Sequence, residues 1–135
     1  MRKILIFSIF ICSILNASKL TNEIHVKSDL IQFNQRDNLI IFSNNVEINS
    51  NHLTIIADEA KYDNEKEVIT VKGIPSTIDS YNQKNKFQGK AKEIIFYSDE
   101  EVHLIGDASL KYENISISSK TIIFNPLTGD FKSNK

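Results

Sequence analysis

Ala57–Gly73 reads ADEAKYDNEKEVITVKG. Taken alone, its first eleven residues pass for a helix, because Ala, Glu and Lys are good helix formers. Three other stretches argue against that. Ser28–Asn44 reads SDLIQFNQRDNLIIFSN, Ala91–Gly106 reads AKEIIFYSDEEVHLIG, and Ser119–Asn134 reads SKTIIFNPLTGDFKSN. Laid over one another, the four starts fall 29, 34 and 28 residues apart. Each copy opens with two apolar residues one apart: Ile31 and Phe33, Ala60 and Tyr62, Ile94 and Phe96, Ile122 and Phe124. A polar turn follows, and then the spacing repeats in Ile40 and Phe42, Ile69 and Val71, Val102 and Leu104. The last copy ends on Phe131 alone. Period two on both sides of a turn predicts strand, turn, strand, and the candidate helix becomes a strand.

The turns carry their own chemistry. Asn125-Pro-Leu-Thr-Gly129 presets φ with Pro and leaves through Gly. The second strands stop at Asn44, Gly73 and Gly106, residues that tolerate positive φ where a bend or bulge needs it. The connecting segments match as well. Val46, Ile48, Leu53 and Ile55 fall at the positions of Ala108, Leu110, Ile115 and Ile117, with Pro75, Ile78, Phe87 and Gly89 comparable in the longer middle connection. Short alternating strands in repeated pairs predict an all-β sandwich, barrel or solenoid that grows by stacking. Such a stack ends in two unpaired strand edges, where another chain can add. At the C-terminal edge the sequence sets three apolar residues in a row, Ile122, Ile123 and Phe124. Head-to-tail self-association is the expectation.

Upstream of the repeats, Arg2 and Lys3 precede the twelve-residue apolar run Ile4–Leu15, and Ala17 and Ser18 follow. That is the layout of a secretory signal, and a membrane span would need roughly 20 apolar residues. Residues 1–17 are expected to be removed, leaving 18–135 as one domain. Cys12 is the only cysteine and leaves with the leader, without the small residues of a lipoprotein cleavage box before it. The mature chain keeps 14 Lys and Arg against 17 Asp and Glu, a net charge of −3. It has no basic surplus for nucleic acid and no cysteine for a disulfide. Burial and sheet hydrogen bonds must hold it together.

Catalytic and metal chemistry find no constellation. His25, His52 and His103 are scattered, without the spacing of a zinc site. There is no nucleophile elbow, no nucleotide-binding motif and no cofactor signature. Asp99, Glu100 and Glu101 read as a solvated turn. Lys84, Lys86, Lys90 and Lys92 surround Phe87, and by parity the last three point away from the apolar side, a solvated face. The functional alternative for them is contact with phosphate groups.

The apolar stripe comprises Ile31, Phe33, Ile48, Tyr62, Val71, Phe87, Ile94, Phe96, Leu104, Leu110, Ile117 and Phe124. A closed core would need the same stripe, and composition does not separate a core from an open groove.

The run Ala57-Asp-Glu-Ala60-Lys-Tyr62-Asp63, then Val71-Lys-Gly73-Ile-Pro75, and its echo over Ala91–Gly106 resemble the OstA-like, or LptA, family of lipopolysaccharide-transport proteins. The resemblance spans roughly residues 24–132. It implies a β-jellyroll of two antiparallel sheets forming an open V-shaped groove, with the stripe as both core and lining for the acyl chains of lipid A. It further implies a non-enzymatic periplasmic carrier of lipopolysaccharide, joined to inner-membrane LptC-type and outer-membrane LptD-type jellyroll proteins. The short leader favours a released protein over an LptC-like anchored one. The rival reading is a structural periplasmic module that uses its strand edges for assembly and holds no lipid.

Overall fold

The computed structural model describes residues 24–50, 53–80 and 86–134. Among the described residues nine strands follow one another: β1 His25–Lys27, β2 Leu30–Asn34, β3 Leu39–Asn49, β4 Leu53–Asp63, β5 Val68–Ser80, β6 Phe87–Phe96, β7 Val102–Tyr112, β8 Ile115–Phe124 and β9 Phe131–Asn134. All pairings are antiparallel, in the order β1-β3-β4-β5-β6-β7-β8-β9, with β2 beside β1 on the outer edge of β3. The Ala57 stretch is strand, as the repeat requires.

Each turn of the repeat is held by local groups. Asp63 accepts from the amides of Glu65 and Lys66 through its carboxylate, and its carbonyl accepts from Glu67, which sits at φ 56°. Asn125 uses its side-chain oxygen in the same way on Leu127, while its carbonyl takes the Gly129 amide. A short polar side chain that mimics a backbone acceptor is why these residue types mark the turns.

The long strands carry the second feature. Every pairing from β3–β4 to β7–β8 shifts register once near its middle, between Ser43 and Val46 on β3 and between Ile105 and Ala108 on β7. A residue added on one side of a ladder bends it and deepens its twist. At these corners Asn44 and Asn45 have φ of 69° and 53°, and Gly106 and Asp107 have 89° and 48°. Asn, Asp and Gly are the types that enter this region at low cost.

Gly73 departs from the expectation. Its φ is not positive. A Cβ there would lie 2.8 Å from Ser76 Oγ and 3.1 Å from the Pro75 carbonyl oxygen, so the corner of β5 needs glycine for close approach.

The corners fold one nine-stranded sheet over itself, and the two expected sheets are its two halves. The first layer holds residues 30–34, 39–43, 59–63, 68–72, 93–96, 102–105, 121–124 and 131–134. The second holds 25–27, 46–49, 53–57, 76–80, 87–91, 108–112 and 115–119. Two contacts establish that they face each other. Phe124 opposes Val102, ten residues along β7 from Tyr112. A straight strand would separate those positions by about 33 Å, yet the rings of Tyr112 and Phe124 lie 5.4 Å apart. Leu104 of the first layer also sits over Gly89 of the second, its methyl 3.1 Å from where a Cβ would stand.

The edges are uneven. β1 and β2 together cover the outer side of β3, while β9 covers only Thr121–Phe124 of β8. Ile122, Ile123 and Phe124 are therefore inside the ladder, contrary to their expected place at the free edge. The Asn125–Gly129 turn folds the chain back and lays β9 over them. Among the described residues, the free C-terminal edge is β9 together with residues 115–120 of β8.

Candidate functional site

In antiparallel ladders, directly opposed residues share a face. The register therefore draws lanes of side chains across the inner surface. In the first layer one lane runs Ile31, Phe42, Ala60, Val71, Ile94, Leu104, Ile122. A second lane, nearer the turns, runs Phe33, Ile40, Tyr62, Ile69, Phe96, Val102, Phe124, Phe131. In the second layer one lane runs Val26, Ile48, Ile55, Ile78, Gly89, Leu110, Ile117. The other runs Leu53, Ser80, Phe87, Tyr112, Ile115. All twelve residues of the sequence stripe lie in these lanes.

Burial divides them. Ile48, Val71, Phe87, Ile94, Leu104, Leu110 and Phe124 are sealed, at 2% exposure or less. Tyr62, Phe96 and Ile117 are half-buried. Ile31 and Phe33 are 61% and 59% exposed, because among the described residues β2 is an edge strand and only the three residues of β1 lie on its side of the second layer.

The layers stay apart over the N-terminal half. A cavity of about 320 Å³ lies between them, lined by Ile24, Val26, Ile40, Phe42, Ile48, Tyr62 and Ile69. A second, of about 220 Å³, shares Ile24, Tyr62 and Ile69 and adds Phe96, Tyr97, Ser50, Glu67, Ser98 and Glu100. Together they make one cleft with an apolar floor and a polar mouth where the turns of the two layers approach. Such a cleft suits an amphiphile: buried CH₂ groups gain roughly 0.8 kcal/mol each without directional partners, while a polar head stays at the wet rim.

Five of the floor residues lie outside the sequence stripe. Ile40, Phe42 and Ile69 were legible, since they are the second-strand partners of the repeat. Ile24 and Val26 precede the first copy and no pattern marks them.

The remaining candidates lie elsewhere. Lys86, Lys90 and Lys92 are exposed on the outer side, and Lys92 pairs with Asp107 at 3.4 Å beside the β7 corner. Lys84 and His52 fall outside the described residues. His103 faces outward, with Nε2 3.0 Å from Glu101 Oε1 and its ring 4.7 Å from that of Tyr97. Among the described residues no three His, Cys, Asp or Glu side chains cluster as metal ligands would.

The family described as LptA/(LptD N-terminal domain) LPS transport protein matches residues 25–130, nearly every described position. The chain belongs to this family. Among solved structures, it is similar to LptH from Pseudomonas aeruginosa, described as the LptA-homologous periplasmic component of the lipopolysaccharide transport device. The TM-score is 0.76 at 15% identity, over 84% of this chain and 83% of that one. At that identity the likeness speaks for the fold, which is the family's β-jellyroll. No curated protein matches.

Proposed function

We propose that this protein carries lipopolysaccharide through the periplasm, with acyl chains of lipid A held between its two layers. The observation that carries the reading is the open apolar cleft, polar only at its mouth, inside a jellyroll of a lipopolysaccharide-transport family. No bond is made or broken in this reading, and no cofactor takes part. Residues 1–17 act as the export signal and 18–135 as the carrier. The two strand edges serve as joints, one copy to the next and, at the ends of the chain of copies, to inner-membrane LptC-type and outer-membrane LptD-type jellyrolls. The exposed apolar side chains of β2 (Leu30, Ile31 and Phe33) support an edge made for pairing.

The twelve stripe residues divide within this reading. Tyr62, Phe96 and Ile48 line the cleft and touch lipid directly. Val71, Phe87, Ile94, Leu104, Leu110 and Phe124 form the walls behind it or the closed half. Ile31, Phe33 and Ile117 meet lipid where one copy passes it to the next.

A photo-cross-linking residue at Phe96 tests this. Capture of lipopolysaccharide at Phe96, with little at the outward-facing His103, is expected. Equal capture at both positions, or none at Phe96, leaves a structural module without lipid as the better account.

A further inference from the structure

The cleft does not run the length of the molecule. Over the C-terminal half the mouth is shut, and the groups that shut it come from both layers. Phe87 and Tyr112 rise from the second layer and Phe124 descends from the first. Phe124 meets Phe87 edge-on at 4.7 Å and Tyr112 at 5.4 Å between ring centroids. The Asn125–Gly129 turn, in the first layer, closes over the same point. Pro126 is buried under it, and Gly129, at φ 82°, lies so near the Tyr112 hydroxyl that a Cβ would come within 2.9 Å of it. Asn125 holds that turn through its contacts to Leu127 and Gly129.

An amphiphile held with its tails inside and its head at the mouth moves along the sheet only if the mouth is open along the whole path. Its charged and sugar groups cannot follow the tails through a dry interior, since burying them unpaired costs far more than the tails gain. Three rings and a turn stand across that path. We infer that the Phe87–Tyr112–Phe124 contact with its Asn125–Gly129 clasp is a latch, which must part before lipid moves from the N-terminal cleft to the C-terminal edge. The inference rests on the lipid-carrying reading above. The isolated copy is then a loaded but closed state, and onward passage requires the first-layer turn to lift from Tyr112.

The test compares photo-cross-linking probes at Phe96, in the open cleft, and at Ile117, on the inner face of the closed half, using purified mature protein and lipopolysaccharide. Two variants loosen the latch from opposite layers: Tyr112→Ala removes one ring, and Asn125→Ala loosens the clasp without touching the interior. In the parent protein, capture at Phe96 is expected to exceed capture at Ile117 several-fold. Each variant that keeps its sheet by circular dichroism is expected to raise capture at Ile117 several-fold while Phe96 is unchanged. Equal capture at the two probes in the parent protein overturns the latch, and so does capture at Ile117 that neither variant moves. Absence of capture at Phe96 overturns the lipid reading itself, and the latch falls with it.

Discussion

The two halves of the jellyroll are built on the same repeat and end in opposite states, the N-terminal one hollow and the C-terminal one filled. Their first-layer walls are alike, with Tyr62, Ile69 and Phe96 on one side and Val102 and Phe124 on the other. The difference lies across from them. Along the mouth-side lane of the second layer, Leu53 and Ser80 give way to Phe87 and Tyr112, and Ser80 and Phe87 are direct partners in the ladder. One step along a lane exchanges a hydroxymethyl group for a benzyl group, and the packed rings of Phe87, Tyr112 and Phe124 begin there. A repeat therefore fixes where strands lie, while the size of single side chains decides how far apart the layers stand.

The largest expected contrast is in stability. Phe124 is fully buried and touches two rings, so Phe124→Ala should lower the unfolding free energy by about 3–5 kcal/mol, the range for large core truncations. Tyr62 borders the cavity and already lacks neighbours on one side, so Tyr62→Ala should cost roughly half that or less. Urea denaturation of both variants measures the contrast. Equal losses would mean that the two halves are packed alike.

Much of this was legible in the sequence and some was not. Strand identity, turn positions and the inner face follow from local period two. A one-residue slip would reverse every side chain, and so the face is strongly specified. All twelve stripe residues accordingly reach one surface. What the period does not encode is which residues meet across the fold. Ile94 and Phe96 are two apart on one strand, yet Ile94 is sealed and Phe96, in the lane nearer the turns, lines the cleft. Nor does the period tell an edge from an interior. Ile31 and Phe33 obey the same alternation as Ile94 and Phe96 and are exposed because, among the described residues, β2 pairs with β3 alone. Gly73 matched Asn44 and Gly106 in position but serves through the absence of a Cβ, a distinction that needs the coordinates of Pro75 and Ser76.

The exposed edge supplies the next contrast. Ile31 and Phe33 lie on the N-terminal edge, and a charge there should disfavour strand addition while leaving the buried ladder untouched. Ile31→Lys is expected to raise the concentration at which copies associate by about tenfold, or roughly 1.4 kcal/mol, as read by light scattering over a dilution series. Unaltered association would move the joint away from β2.

Filling the hollow half should make it resemble the other. Val26 is half-buried and lines the 320 Å³ cavity. Val26→Phe would occupy that space, and cavity filling commonly adds about 0.5–2 kcal/mol of stability. Lipid capture at Phe96 is expected to fall in the same variant. A more stable protein with undiminished capture would show that lipid sits elsewhere.

The smallest effect is expected on the outer face, and it separates the groove from the basic cluster. Lys92 and Asp107 form an ion pair at 3.4 Å, but their side chains are 65% and 83% exposed. Exposed pairs of this kind contribute about 0–1 kcal/mol, because water screens the attraction and two long side chains lose freedom. The stem of Lys92 also lies against Gly106, within 3.1 Å of where a Cβ would stand, so part of any loss on truncation is packing. Lys92→Met keeps that stem and removes the charge. It should change stability by less than about 0.5 kcal/mol, and with Lys90→Met it should leave lipid capture at Phe96 unaltered. Both lysines stand on the side of β6 opposite Phe87, Ala91 and the cleft. A clear drop in capture for the double variant, in a protein of normal stability, would bring lipid phosphates to the outer face and require the head group to reach around the β6 corner.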